Sequence, residues 1–244
     1  DSIALQQSLR DLDKAYQNFF QGYGFPKFKS KHDHFHSYRT QLVNDNIKVE
    51  IKRIKLPKLG WVKYKNSRDV EGKIQNVTVS KTNTDKYYIS VCCEVSIKPM
   101  DKVTPRVGID VGITTFCAMS TGEKIDNPKH LKNSEKLLKR AQRQLSSKEK
   151  NSNNYKKAKL RVAKIHERIA NQRNDFLHKL STKLISENQA IYLEDLKVKN
   201  MVKNNKLAKS IHDCSWGEFF RMLKYKGEWY GRTVVQVNTF YPSS

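Results

Sequence analysis

A chain of 244 residues with 47 Lys+Arg against 24 Asp+Glu carries a formal charge of +23, which excludes the ordinary enzyme of small neutral substrates. Such an imbalance marks a polyanion as partner, with nucleic acid the default; no apolar run approaches the length that spans a bilayer, so no membrane partner is expected. Four cysteines, Cys92, Cys93, Cys117 and Cys214, show no C-x-x-C spacing, which argues against a zinc knuckle or a disulfide framework and fits a reducing cytoplasm.

In chain order, Leu5, Leu9, Leu12, Tyr16, Phe19 and Phe20 recur at helical spacing over residues 4–20, and Gly22 and Gly24 end that helix. A single helix before a break reads as the tail of a larger helical unit whose start lies outside the sequence. Residues 25–39 interleave Phe25, Phe28, Phe35 and Tyr38 with Lys27, Lys29, Lys31 and Arg39. That mixture suits a nucleic-acid backbone and its bases, and equally a loop whose aromatics plug a core while its lysines stay solvated. His32, His34 and His36 match no usual zinc spacing.

Short alternating runs at 47–51, 53–56, 61–64, 72–80 and 87–95, separated by Asn, Asp and Gly, predict a small β-barrel acting as a platform. Pro99 and Pro105 bracket a plausible domain boundary. Residues 107–111 are then apolar except for Gly108 and Asp110, and 114–119 read as a second strand with Gly112 at the join. An acid inside an apolar strand is expected to be a buried carboxylate, and a metal ion is the partner that makes such burial useful. The plainer reading is an Asp that caps a turn.

Residues 129–183 hold 17 Lys+Arg against 4 Asp+Glu. Leu131, Leu138 and Leu145 recur every seven, and Ala158, Val162, Ile165, Ile169, Phe176, Leu180 and Leu184 form a second stripe. This predicts a helical hairpin with a thin apolar seam and cationic outer faces. The excess is one-signed, so i,i+4 ion pairs cannot absorb it, and something anionic is expected alongside. A second apolar strand follows, Ile191, Tyr192 and Leu193, ending at Glu194 and Asp195; helices over 207–211 and 216–229, a stop at Gly231 and a strand over 233–237 complete the chain.

Strand with Asp, hairpin, helices, strand ending in Glu, helix, strand is the order of an α/β ribonuclease H-like fold. Its sheet brings carboxylates from separate strands to one pair of divalent ions, which supports in-line hydrolysis of a phosphodiester. The sequence closely resembles the TnpB (OrfB) family of insertion-sequence transposon proteins, relatives of the miniature type V CRISPR nucleases. The stretches that carry the resemblance are LQQSLRDLDKAYQNFF, GFPKFKSK, SYRTQ, IKLPKLGWVKY, GKIQNVTVSK, VGIDVGI, NPKHLKNSEKLLKRAQRQLS, ANQRNDFLHKLSTKLI, YLEDL, SWGEFFRMLKYKGEWYGR and FYPSS, and they span nearly the whole chain.

The resemblance implies an RNA-guided, Mg²⁺-dependent endonuclease with a RuvC-type site. Its partners would be a guide RNA from the transposon end and double-stranded target DNA beside a short motif. It implies the end of a helical recognition lobe at 1–22, a wedge-like β-barrel at 23–101, and an incomplete RuvC-like nuclease domain at 102–244 with a basic helical insertion at about 129–188. Asp110 and Glu194 match the first two catalytic, metal-binding carboxylates. Gln6, Tyr38 and Arg39 fall where the family approaches target DNA. The cations Lys27, Lys29, Lys31, Lys139, Arg140, Arg143, Lys156, Lys157, Arg161, Arg168 and Arg173 are the further nucleic-acid-binding candidates. The family continues past FYPSS into a zinc ribbon of four cysteines, the only place for Zn²⁺, and a third catalytic Asp. Asp213, Glu218 and Glu228 are the only acids after Asp195 and stand outside that third context.

Three rivals follow from the same residues. A non-cleaving RNA-guided DNA binder and a generic RNA-binding protein both suit the charge. The run GIDVGITTF also resembles the first phosphate loop of actin-like ATPases and sugar kinases, though no second loop or adenosine motif accompanies it.

Overall fold

The computed structural model describes residues 1–28, 30, 36–196 and 198–237. Lys29, Lys31, His32, His34, Phe35 and the closing FYPSS lie outside the described residues. The chain divides into two units, Asp1–Ser96 and Ile97–Ser244.

In the first unit, helix α1 (Ser2–Phe20) starts where the Asp1 carboxylate accepts the Ile3 amide at 3.1 Å, a side-chain N-cap. Gly22 adopts φ +90° just beyond the last turn. Strand β1 (His36–Gln41) pairs antiparallel with β5 (Lys73–Lys81), which pairs with β6 (Tyr87–Glu94). Between them β2 (Lys48–Val49), β3 (Arg53–Leu56) and β4 (Gly60–Lys63) form a second antiparallel sheet. Ile47, Ile54, Leu56 and Val77 are the shared core. Among the described residues these are two three-stranded sheets, with no ladder closing them into the expected barrel.

The run expected at 47–51 shrinks to two paired residues. Glu50 already turns, its amide bonded to the Arg53 carbonyl at 2.9 Å, and Ile51 is exposed at the tip. Helix α1 meets β1 through polar groups: Gln7 is buried, Thr40 donates to Asp1 at 2.7 Å, Arg10 to Gln41 at 3.2 Å, and Arg39 pairs with Asp11. Its apolar stripe, Leu5, Leu9 and Phe20, faces solvent.

The second unit is built on one five-stranded sheet in the order β11-β10-β7-β8-β9. Strands β7 (Arg106–Val111), β8 (Thr115–Met119) and β9 (Lys124–Asp126) form an antiparallel meander. Strand β10 (Ala190–Glu194) runs parallel to β7, and β11 (Thr233–Val237) runs parallel to β10. Parallel neighbours need crossovers, and these are supplied by helices α2 (His130–Ser146) and α3 (Asn153–Glu187) before β10, then by α4 (Val198–Met201), α5 (Asn205–Cys214) and α6 (Trp216–Tyr230) before β11. Val107, Ile109, Ile191 and Leu193 pack with Leu177, Leu180, Leu184 and Ile185 of α3 and with Phe219, Met222 and Leu223 of α6. Phe116 sits edge-on between Phe176 and Phe219, with centroids 5.0 and 5.2 Å away.

Two cations are drawn into this packing. Lys226 is 6 % exposed and donates to the His178 carbonyl and to the Ser181 and Thr182 hydroxyls at 2.7–3.0 Å; burial pushes its pKa down. Arg232 ties the Ile185 and Asp101 carbonyls to the Gln189 side chain.

Gly227 lets β11 approach α6. A Cβ there would lie 2.8 Å from Val234 Cγ2 and 3.1 Å from the Arg232 carbonyl oxygen. Helix propensity favours Ala over Gly by about 1 kcal/mol, but overpacking costs about 1–3 kcal/mol, and the second term wins. Gly227→Ala is therefore expected to lower the urea midpoint at unchanged m; a rise in midpoint would show that β11 can shift aside.

Glu135 of α2 accepts from Lys139 on its own helix and from Lys209 of α5, and these hydrogen bonds hold its pKa down at about 2. The ordinary value is 4.5, so its contribution to stability is complete above pH 4.5 and fades as pH falls toward 2. Melting curves between pH 6 and 3 are expected to drop less steeply for Glu135→Gln than for the native chain. Parallel curves would mean that the clamp between α2 and α5 carries no stability.

Candidate functional site

Strand pairing brings the two acids together. In the parallel ladder of β10 and β7, Ile191 stands beside Val107, Tyr192 beside Gly108 and Leu193 beside Ile109. The next step sets Glu194 beside Asp110 across a strand spacing of about 4.8 Å. Ile109 and Leu193 point into the core; side chains alternate along a strand, so Asp110 and Glu194 both stand on the opposite face. Asp110 is exposed and Glu194 half-buried. The expected burial of Asp110 is thus corrected: α3 and α6 pack on the other side of the sheet, and the acid faces solvent.

The surroundings keep that face open. Gly108 presents no side chain beside Tyr192, and its amide donates to Ser120 Oγ at 3.0 Å. The β7–β8 hairpin closes tightly, the Gly112 amide bonding the Phe116 carbonyl at 3.1 Å, and a Cβ on Gly112 would lie 2.9 Å from the Thr115 carbonyl oxygen. Asp195, one residue past Glu194, has its amide fixed to the Val237 carbonyl at 2.8 Å, which locks the strand end that carries Glu194.

Two hard carboxylate oxygens on neighbouring strands, open to water, fit a Mg²⁺ ion, which retains several waters and is commonly bound by one or two carboxylates plus substrate phosphate. No cluster of three or more His, Cys, Asp or Glu suited to a metal occurs among the described residues.

The cationic candidates separate by what they touch. Gln6, Lys27 and Tyr38 are exposed. Arg39 is held by Asp11. Lys139 is paired with Glu135 but remains largely exposed. Arg140, Arg143, Lys156, Lys157 and Arg168 are exposed on the hairpin, and Arg161 donates to Gln144 across it at 3.2 Å. Arg173 differs: it is largely covered and pairs at 3.2 Å with Asp213, so it serves the packing.

Asp213 is the residue that sequence reasoning passed over. Both its oxygens accept the Leu131 amide at 3.1 Å, capping α2 from 82 positions away, since Lys129 offers no side-chain cap. No local motif announces such a contact. Glu218, another of the three acids after Asp195, pairs on the surface with Arg221.

A family profile described as "Probable transposase", OrfB of the IS605 type, matches residues 90–205, and the TNB domain of Cas12f1-like proteins matches 216–244. A relative from Streptomyces pristinaespiralis is 41% identical over all of this chain and 61% of its own length; one from Escherichia coli K12 is 39% identical over 99% and 64%. Both carry the name "Putative RNA-guided DNA endonuclease", the second with the suffix InsQ. The chain thus spans about three-fifths of the length of these curated relatives. The solved structure of a Cas12f1–sgRNA–target DNA complex superposes with TM-score 0.50 over 91% of this chain and 58% of that one, at 13% identity, so the mixed α/β fold is shared. On these matches the chain is similar, over residues 90–205, to the OrfB family of IS605-type transposon proteins.

Proposed function

We propose that this chain forms the nuclease part of an RNA-guided DNA endonuclease, with a ribonuclease H-like, RuvC-type sheet and Asp110 and Glu194 as its metal-binding carboxylates. The observation that carries the reading is the register of β10 on β7, whose last pair, Leu193 with Ile109, comes immediately before the two acids and would present them side by side on the open face. The sheet order, an antiparallel meander extended by two parallel strands through helical crossovers, supports the fold assignment. Names carried by the relatives support the reaction class.

Asp110 and Glu194 would hold Mg²⁺ on that face, where a bound ion would supply Lewis-acid polarisation of a phosphodiester and a lowered pKa for an attacking water. The chain's own part is to fix the two carboxylates on rigid neighbouring strands and leave the face accessible to a phosphodiester. Two acids hold an ion pair weakly, so residues 1–244 by themselves are expected to cut DNA poorly or not at all.

The first unit would be the wedge that grips the guide RNA and the motif duplex, and the apolar stripe of α1 would pack into the helical recognition lobe. Lys27 and Tyr38 on that unit and the exposed cations of the hairpin are the nucleic-acid contacts.

The test is whether DNA binding depends on RNA. The chain expressed with its flanking transposon-end transcript is expected to co-purify with that RNA and to capture DNA complementary to the guide. Purification free of RNA, or no preference for guide-complementary over unrelated DNA in about 0.3 M salt, where backbone-only binding is suppressed, would contradict the reading.

A further inference from the structure

We propose that one face of the helical hairpin, carrying Lys136 and Arg140 of α2 with Lys157, Arg161, Lys164 and Arg168 of α3, is a sequence-independent docking surface for the phosphate backbone of a nucleic-acid duplex. The proposal rests on the nucleic-acid reading above and specifies where and how the hairpin would serve it.

The Arg161–Gln144 hydrogen bond fixes which flanks of the two helices adjoin. Residues three and four apart share a helix face, so Lys157, Lys164 and Arg168 fall on the Arg161 flank, and Arg140, with Lys136 a turn further, on the Gln144 flank. The buried seam, Leu138, Ala141 and Ile169, runs beside these flanks, which stay exposed at Arg140, Lys157, Lys164 and Arg168. On α3 this makes a ridge about 16 Å long at 1.5 Å per residue.

Cations near the hairpin's root are neutralised: Arg173 by Asp213, Lys179 by Asp175 and Lys183 by Glu123. Among the described residues, Lys136, Arg140, Lys157, Lys164 and Arg168 have no carboxylate partner, and Arg161 bonds a neutral amide. Holding like charges at helical neighbour positions is unfavourable, and an anionic backbone laid along the ridge relieves that repulsion.

The chemistry points to a duplex. Single-strand sites combine cations with aromatic platforms for stacking bases, whereas this face offers cations, Gln144 and the exposed Leu137, with no aromatic ring. Contacts to phosphate position a double helix without reading its sequence.

The experiment is fluorescence anisotropy of the 244-residue chain with a 20-base-pair DNA duplex, an RNA–DNA hybrid and a single strand, each in two unrelated sequences, across a salt series. Either duplex is expected to bind more tightly than the single strand, alike for both sequences, with log K falling steeply against log salt. About six phosphate contacts correspond to a slope near −5 and to about 10³-fold loss between 50 and 200 mM salt. The quadruple variant Lys157→Gln, Arg161→Gln, Lys164→Gln, Arg168→Gln is expected to flatten the slope by about 3.6. The double variant Lys157→Gln, Lys164→Gln, which keeps the Gln144 bond, should flatten it by about half that. An equal removal of charge from elsewhere on the second unit (the exposed Lys98, Lys102, Lys124 and Lys224 to Gln) should change it by less than about 1. Single-strand binding as tight as duplex, unchanged slopes in both hairpin variants, or equal flattening by the control set would overturn the proposal. Mn²⁺ binding at Asp110 and Glu194, measured on the same variants, is expected to be untouched, so failure of this surface is distinguishable from failure of the nuclease reading.

Discussion

Converting Asp110 to Asn, or Glu194 to Gln, is expected to stabilise the chain in chelator and to weaken it relative to the native chain in millimolar Mn²⁺. The two carboxylates each stand one residue past the Leu193–Ile109 pair that ends the parallel ladder, on the face opposite the core. Like charges opposite one another on neighbouring strands are destabilising by up to about 1 kcal/mol. Asp110 is exposed, so solvent and salt screen the repulsion, and a gain of about 0.3–0.5 kcal/mol is the expected size. A cation reverses the sign: binding to the native state adds RT ln(1 + [M]/Kd), which the amide variants forgo. On the proposed function, the same substitutions made in a full-length, RNA-bound protein are expected to lower cleavage by about 10³-fold or more, since a metal would supply several kcal/mol of transition-state stabilisation. Thermal melts with and without Mn²⁺ check the first part. Amide variants that lose stability in chelator would mean that these acids serve the fold.

The second large effect is structural. Asp213→Ala is expected to destabilise the second unit by about 3 kcal/mol. Removing one member of a covered ion pair costs about 3–5 kcal/mol because the other charge is left without compensation. Arg173 retains 23 % side-chain exposure, which moderates that figure, while the lost cap on the Leu131 amide adds to it. Arg173→Met with Asp213→Leu, which removes both charges, is expected to recover much of the loss. Urea unfolding of the single and double variants measures the difference; equal destabilisation by both would locate the effect in the cap alone.

Legibility from sequence followed the range of the interactions involved. Both acids stood out because each interrupts an apolar run, and the strands that carry them, with α6 and β11, fall close to their expected residues. The side of the sheet that Asp110 faces was not legible, because alternation along β7 says which residues share a face and nothing about which face the helices cover. Strand β1 escaped notice since His36, Ser37, Arg39, Thr40 and Gln41 give no apolar alternation; Thr40 is nonetheless fully buried, through its bond to Asp1 and its place opposite Val77. Arg173 on α3 and Asp213 on α5 lie 40 residues apart, and only the folded chain brings them together. The hairpin was readable as charge and periodicity, whereas the flank on which its cations gather depends on one cross-helix bond from Arg161.

The central claim is that Asp110 and Glu194 share one cation, and Mn²⁺ titration followed by amide NMR tests it most directly, because paramagnetic broadening reports even weak binding at a defined place. Broadening centred on residues 108–112 and 192–195, lost in Asp110→Asn and in Glu194→Gln, is the expected result. Broadening that spares both strand ends, or that persists when either acid is removed, would contradict the assignment.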